Sequence, residues 1–287
     1  MAKVIKNLNN ERLRVLVYGK GGTGKTRFTG SAGMCAATSP SLMLTMGGNP
    51  ISIRDYLVKP TIVEMSKLED FNTIYDFLAA GQPSTSKLYA ELEMVEPFKS
   101  VIVDGASMVQ RKVMALITGQ DERRMDLDKV RADTEIRHYK KNLDMLGPWG
   151  SLIFGLADNK NKLPLHVFMT ALEQPPQIPI VSKEAQFAPT PNPAKEMFRP
   201  LFFGRVVDYI EAEAYIVGRM VTVERFSNRE AKRMGIPDAG SYVMLTQQTS
   251  DYMAKDQFGK LKGYIVNPTV TLLCELIYYN EKEILRL

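Results

Sequence analysis

The stretch Gly19-Lys20-Gly21-Gly22-Thr23-Gly24-Lys25-Thr26 constrains this chain more than any other feature. It matches the spacing G-x-x-x-x-G-K-[ST], and an apolar run at residues 15–18 directly precedes it. In this spacing, glycines allow backbone N–H groups to close around phosphate oxygens where a helix begins. The sequence therefore predicts a phosphate-binding loop between a buried strand and a helix. The alternative is a chance glycine-rich turn.

Two side chains of this loop carry its expected chemistry. Lys25 is expected to reach the β- and γ-phosphates of a nucleotide, and the Thr26 hydroxyl is expected to ligate Mg²⁺. Lys25 is also a candidate catalytic residue. The candidate nucleotide-binding residues are the loop and the residue after it: Gly19, Lys20, Gly21, Gly22, Thr23, Gly24, Lys25, Thr26 and Arg27.

A second metal ligand is predicted at the end of another strand. Asp104 follows the apolar residues Val101, Ile102 and Val103. Its carboxylate would lie at the C-terminal tip of a core strand and hold Mg²⁺ through water. The alternative is a strand-end aspartate that caps the next turn or helix. Thr26 and Asp104 are thus the candidate metal ligands.

Polar residues also end the next predicted core strand. Thr170, Glu173 and Gln174 lie at its C-terminal end, where a polar side chain can sense the γ-phosphate or orient the attacking water. Glu173 and Gln174 are therefore candidate catalytic residues. Simple polarity at a strand end explains them equally well.

The composition limits the class of protein. A chain of 287 residues fits one large domain with a substantial core. Its net charge of +5 adds little weight to nucleic-acid binding, because 37 basic residues face 32 acidic ones. Cys35 and Cys274 have no zinc or C-x-x-C spacing. Without a signal-peptide pattern or a long apolar run, the expected location is the cytoplasm, with no membrane partner.

Strand and helix patterns alternate in the first part of the chain, which favours a parallel sheet. The predicted strands are residues 14–18, 41–46, 63–65, 99–104 and 165–171, and the predicted helices are 25–37, 67–80 and 108–119. Antiparallel strands are expected at 212–217, 220–225 and 241–247, followed by a helix or strand at 270–278. The predicted fold class is α/β, and the ligand is expected at the carboxyl ends of the parallel strands.

In this order, the motifs resemble a RecA-like P-loop ATPase. More narrowly, the chain is similar to phage-encoded AAA-type nucleotide-binding proteins with a RecA core, some of which act in single-strand annealing and recombination. The resemblance spans residues 12–268 and rests on residues 17–19, 103–104, 169–173 and 254–259. It implies a mainly parallel RecA-like core with an antiparallel C-terminal extension. It also implies ATP and Mg²⁺ as cofactors, ATP hydrolysis, a homo-oligomeric ring or filament, single-stranded DNA as a partner and, for a phage protein, the host cytoplasm.

Two positions depart from this family pattern. RecA-like and hexameric helicase-like ATPases use a Lys-x-Arg or Lys-x-Lys pair to reach the neighbouring subunit's γ-phosphate, and Lys255 matches only its first position because Gln257 follows. The alternative for Lys255 is a solvated turn lysine. A catalytic glutamate is also expected just after the second core strand, yet no acid appears there before Asp55. Hydrolysis could then be slow, or Glu173 could substitute.

Lys20 is also compatible with a second family of ATPases. Residues 20–26 also match the deviant loop of partitioning ATPases, in which the early lysine reaches across a nucleotide-sandwich dimer. That class usually carries an Asp-x-Asp pattern at its second strand, and residues 44–47 lack one. A nucleotide-regulated assembly protein with little turnover is a further alternative.

The chain is predicted to be a single domain over residues 1–287. Its core covers about residues 12–174, a proline-rich loop covers 175–204, and a β-rich extension covers 205–287. The proline-rich loop follows the strand after which RecA-like proteins place a DNA-binding loop. It is therefore the candidate DNA contact, with a lid or a subunit contact as the alternative. Residues 119–141 are basic too, but acids offset their charge, which favours a solvated helical face.

Overall fold

The apolar runs near the start of the chain lie side by side as parallel strands in a computed structural model. The structure describes residues 11–46, 50–66, 68–118, 136–158, 162–176, 197–202, 205–223 and 241–278. The fold is α/β, with a mainly parallel central sheet and an antiparallel C-terminal part.

Strands and helices alternate until β5. The strands are β1 (Arg14–Gly19), β2 (Ser41–Thr45), β3 (Thr61–Glu64), β4 (Ser100–Asp104), β5 (His166–Gln174), β6 (Arg199–Pro200), β7 (Ile216–Thr222), β8 (Tyr242–Leu245), β9 (Lys255–Asp256) and β10 (Tyr264–Val266). The helices are α1 (Lys25–Gly30), α2 (Leu68–Ala79), α3 (Lys87–Glu91), α4 (Ala106–Thr118), α5 (Ile136–Gly155), α6 (Val206–Glu213) and α7 (Val270–Tyr278). Short 3-10 turns cover Ser31–Met34 and Ile51–Ile53.

The described strands form one sheet in the order β10-β8-β7-β1-β5-β4-β2-β3, with β6 beside β5 and β9 beside β7. All pairs from β7 to β3 are parallel, and β8, β10, β6 and β9 pair antiparallel. The strand before the glycine-rich loop, β1, and the strand that ends in Asp104, β4, are therefore separated by β5. Their carboxyl ends meet at one edge of the sheet, the C-terminal edge.

Helices cover both faces of the sheet. Apolar residues of α1 and α7 pack on one face in a core that includes Val15, Val17 and Phe168. Apolar residues of α2, α4, α5 and α6 pack on the other face around Leu16 and Val167. Because β1 and β5 are buried on both faces, they read as continuous apolar runs in the sequence.

The prediction of antiparallel strands at residues 212–217 and 220–225 is confirmed only in part, because the observed strand pairs antiparallel with β8 and β9 but also pairs parallel with β1. A single strand, β7, runs over Ile216–Thr222 and pairs parallel with β1, while the residues before it end helix α6. The predicted strand at 241–247 is confirmed, because β8 pairs antiparallel with β7. The final segment, predicted as a helix or a strand, is helix α7.

Two helices differ from their predictions. Helix α1 ends at Gly30 rather than at residue 37, and a 3-10 turn follows it. A Cβ on Gly30 would lie 2.6 Å from Ile53, so the chain there packs too closely for a larger residue. Helix α5 continues to Gly155, well beyond the helical face predicted for residues 119–141, although Pro148 lies inside it and prolines usually interrupt helices.

Candidate functional site

The glycine-rich loop leaves β1 at the C-terminal edge of the sheet, and two of its glycines are required by their surroundings. A Cβ on Gly19 would collide with the main-chain carbonyl oxygen of Met220 in β7. Gly24 precedes α1 with a φ of +83°, and a Cβ there would lie 2.7 Å from the ring of Tyr242. The loop can therefore approach β7 and β8 only because these positions are glycine.

The loop presents main-chain donors. In the part of the chain that the structure describes, no residue accepts a hydrogen bond from the backbone N–H of Gly21, Gly22 or Gly24. Gly21 and Gly22 are exposed, whereas Thr23 is buried and donates its hydroxyl to the Lys20 carbonyl at 2.8 Å. Successive free N–H groups around a turn form a concave surface that attracts anions.

The Lys25 side chain folds back onto the first two residues of the loop. Its Nζ donates to the carbonyl oxygens of Gly19 and Lys20, each at 2.8 Å. Burial lowers the pKa of Lys25 from 10.5 to about 8, against the opposing effect of the Asp104 and Glu173 carboxylates. Phosphate oxygens entering the loop would offer this ammonium stronger acceptors than carbonyls do.

The structure brings the two candidate metal ligands together. The Thr26 Oγ1 lies 3.0 Å from both carboxylate oxygens of Asp104, although the two residues are far apart in sequence. From β5, the Thr170 hydroxyl donates to Asp104 Oδ1 at 2.7 Å and accepts from the Gly105 N–H at 2.8 Å. Thr170 therefore fixes the orientation of the carboxylate, a role that the sequence alone did not indicate.

This oxygen set fits Mg²⁺. Magnesium is usually held by one or two carboxylates together with phosphate oxygens and waters, not by an all-protein cage. Thr26 and Asp104 supply such a partial set, and no group of three or more His, Cys, Asp or Glu side chains within the described ranges could hold a metal ion. Thr26 and Asp104 would hold the ion, which would supply positive charge next to the β- and γ-phosphates.

The two candidate catalytic residues at the end of β5 lie in different environments. Glu173 is buried and its Oε2 accepts from Arg219 Nε at 2.7 Å, so it forms an ion pair with β7. Gln174 is half-buried and faces Arg199 across the short β5–β6 ladder. Glu173 contributes to the electrostatic field at Lys25.

The other candidates lie further from Asp104. Lys20 and Arg27 are exposed, and the Arg27 guanidinium lies 5.9 Å from the ring centre of Tyr56. Lys255 is at the opposite edge of the sheet, where β9 pairs with the start of β7. Its Nζ donates to the carbonyl oxygens of Glu211 and Ala212 at 2.9 and 3.3 Å. Within this chain, Lys255 therefore does not reach the glycine-rich loop.

Arg219 is a site residue that was not predicted from the sequence. It lies on β7 opposite Tyr18, the residue before the loop. A single arginine in the otherwise mainly apolar strand IVGRMVT was the signal that could have drawn attention to it, because a charge inside a buried strand needs a partner.

Several sequence predictions lie outside the described residues. These are most of the proline-rich loop (177–196), most of the basic stretch (119–135) and the turn after β2 (47–49). The described parts of the proline-rich loop show that it leaves from the end of β5 and returns at β6, which pairs with Glu173 and Gln174. Among the described helices, none has both the length and the apolar content needed to cross a membrane.

Comparison with known proteins gives little further information. No protein-family model matches the chain, and no curated protein matches it. Among solved structures, the chain is similar to one described as the ATPase domain of G40P, with 11% identity over 89% of this chain and 81% of the other, at a TM-score of 0.35. A similarity this low carries no argument, and the fold assignment rests on the strand order and on the loop.

Proposed function

We propose that this chain binds Mg²⁺-ATP in the loop at residues 19–26 and hydrolyses it. The observation that best supports this proposal is the grouping of Lys25, Thr26 and Asp104 at the glycine-rich loop. This loop also presents backbone N–H groups without a partner among the described residues. Those three side chains offer a cation for the phosphates and two oxygens for the metal, which are the parts that phosphoryl transfer requires. The choice of ATP over GTP rests on the family resemblance.

Hydrolysis requires a group that orients water against the γ-phosphorus. In the proposed reaction, the water oxygen bonds to that phosphorus while the bond to the bridging oxygen of ADP breaks. The leaving group is ADP, and the water proton passes to a nearby base. Glu173 is the proposed base, because it is a buried carboxylate at the end of β5 and lies within the electrostatic reach of Lys25.

The resemblance also suggests two partners. We propose that the protein acts on single-stranded DNA as a homo-oligomer, with the proline-rich loop between β5 and β6 as the DNA contact. Support comes from the points where this loop leaves and returns, since both lie beside Glu173. A contact at these points could affect the γ-phosphate site.

Phosphate release with and without single-stranded DNA tests this function. We expect Mg²⁺-dependent release that DNA stimulates, with the stimulation weakening as salt rises. ATP binding without phosphate release would remove hydrolysis and leave nucleotide binding intact, as expected of an assembly protein with little turnover. ATP-dependent dimerisation that is lost in Lys20→Ala would instead favour the partitioning-type switch.

A further inference from the structure

The Glu173–Arg219 pair lies at the C-terminal edge of the sheet next to the glycine-rich loop. In the ladder between β1 and β5, Gly19 is opposite Leu172, so Glu173 comes directly after the residue that faces the start of the loop. Arg219 is opposite Tyr18 on the other side of β1. The ion pair therefore crosses over β1 just where the loop begins.

Among the described residues, the Glu173 carboxylate finds a partner for one of its two oxygens. The side chain is 1% exposed, and Oε2 is bonded to Arg219 Nε at 2.7 Å. The other oxygen, Oε1, is buried and has no hydrogen-bond partner among the described residues. A buried carboxylate oxygen without a partner is costly, and a water bound there would supply the missing donor.

Aromatic rings fix the guanidinium of Arg219. Its Cζ lies 3.8 Å from the ring centre of Phe198 and 5.6 Å from that of Tyr252. The Tyr18 hydroxyl in turn holds the segments around both rings, since it donates to the carbonyl oxygens of Phe198 and Met253 at 3.0 and 2.6 Å. Held between these rings, Arg219 has little freedom to change its rotamer.

We infer that Arg219 is a positioning residue that holds Glu173 with Oε1 directed to the attacking water of ATP hydrolysis. This inference rests on the proposed function. In the reaction, Oε1 accepts the water proton as the new oxygen–phosphorus bond forms and the bond to ADP breaks. Arg219 acts through Glu173 and not on the nucleotide, because its ion pair fixes the direction of the carboxylate.

The variant Arg219→Gln tests the inference, because it should lower kcat without changing the affinity for Mg²⁺-ATP. We expect kcat to fall about 10- to 100-fold, since misplacing a catalytic group by about 1 Å can cost that much. The dissociation constant for Mg²⁺-ATP should stay close to that of the wild type. Arg219→Lys, which keeps the charge, should recover part of the lost kcat, and the double variant Arg219→Gln/Glu173→Gln should be no slower than Glu173→Gln alone.

Arg14→Gln is the matched control. Arg14, like Arg219, is a paired arginine on a core strand. It pairs with Asp158 and Glu213 at 2.6 and 3.1 Å and lies 4.8 Å from the ring centre of Tyr215. It begins β1 and therefore lies at the edge opposite the loop. Its loss should lower the thermal midpoint as the loss of Arg219 does, but it should leave kcat unchanged.

Three outcomes would overturn the inference. One is that Arg219→Gln and Arg14→Gln have the same kcat when kcat is calculated per folded molecule. Another is a multiplicative loss in the double variant, which would show that the two residues act independently. The third is a wild-type protein that binds Mg²⁺-ATP without hydrolysing it, which removes the role of Glu173 while nucleotide binding stands.

Discussion

At the scale of single residues, Lys25 should make nucleotide binding depend on pH. Burial lowers its pKa from 10.5 to about 8, so the free folded protein loses this proton about 2.5 pH units before the unfolded chain does. Between those values the unfolded chain holds the extra proton, and Lys25 makes the free energy of unfolding rise with pH. Phosphate oxygens favour the ammonium, so Mg²⁺-ATP binding at about pH 9 should take up a proton.

Calorimetry in two buffers of different ionisation enthalpy measures this uptake. The apparent binding enthalpy of the wild type should differ between the buffers. Lys112→Ala should preserve the difference, because Lys112 lies on α4 and its Nζ donates to the carbonyls of Met65 and Ser66, away from the loop. Equal enthalpies for the wild type would show that Lys25 does not meet the phosphates.

Thr26 should couple nucleotide affinity to magnesium. Thr26→Val keeps the shape of the side chain but removes the hydroxyl that lies 3.0 Å from Asp104. Loss of a residue that only supports a metal ligand costs about 10- to 100-fold in metal affinity, and loss of a ligand should cost at least as much. A magnesium titration of nucleotide binding should show this loss in Thr26→Val and not in Thr26→Ser. The same magnesium affinity in both variants would exclude Thr26 as a ligand.

Local sequence patterns predicted part of this site, and the remaining site residues are brought together by contacts between residues far apart in the chain. The loop, Thr26 and Asp104 were found because each follows an apolar strand, and parallel strands bring their ends together. The Arg219–Glu173 pair joins residues 46 positions apart. Its formation depends on β7 pairing with β1, which no local pattern specifies.

At the scale of elements, helix α5 packs against α6 at a glycine. A Cβ on Gly150 would lie 2.8 Å from Ile210 Cγ1, whereas a Cβ on Gly155 in the same helix would have nothing within 4 Å. Gly150→Ala should therefore lower the free energy of unfolding by about 1–3 kcal/mol through overpacking. Gly155→Ala should be neutral or raise it by up to about 1 kcal/mol. Urea unfolding of both variants would refute this packing if Gly150→Ala were as stable as Gly155→Ala.

The elements also explain the parallel pairing of β7 with β1, which the sequence did not predict. The residues of β7 and β8 have the apolar patterns of strands, but the direction of pairing is set by what precedes each strand. Helix α6 lies between β6 and β7 and allows a parallel crossover, and the strand predicted at 212–217 overlaps only the end of this helix. An apolar run fixes the strand, while the intervening helix decides whether the pair is parallel.

At the scale of the whole molecule, the sheet separates two sets of charged groups. Its C-terminal edge carries the loop, Asp104 and the Glu173–Arg219 pair, and the opposite edge carries Arg14 and Lys255. If Lys255 contacted the nucleotide of a neighbouring subunit, the C-terminal edge of the sheet in one subunit would therefore face the opposite edge in the next. This arrangement is head-to-tail, which is the geometry that produces rings or filaments.

The dissociation constant for Mg²⁺-ATP, measured for the wild type and for Lys25→Ala, tests nucleotide binding by the loop most directly. Hydrogen bonds to charged groups are worth about 1.5–3 kcal/mol, so the variant should bind at least about 10-fold more weakly. Lys112→Ala, which also removes a lysine that bridges two carbonyls, should bind as the wild type does. An unchanged affinity in a folded Lys25→Ala variant would contradict nucleotide binding by this loop.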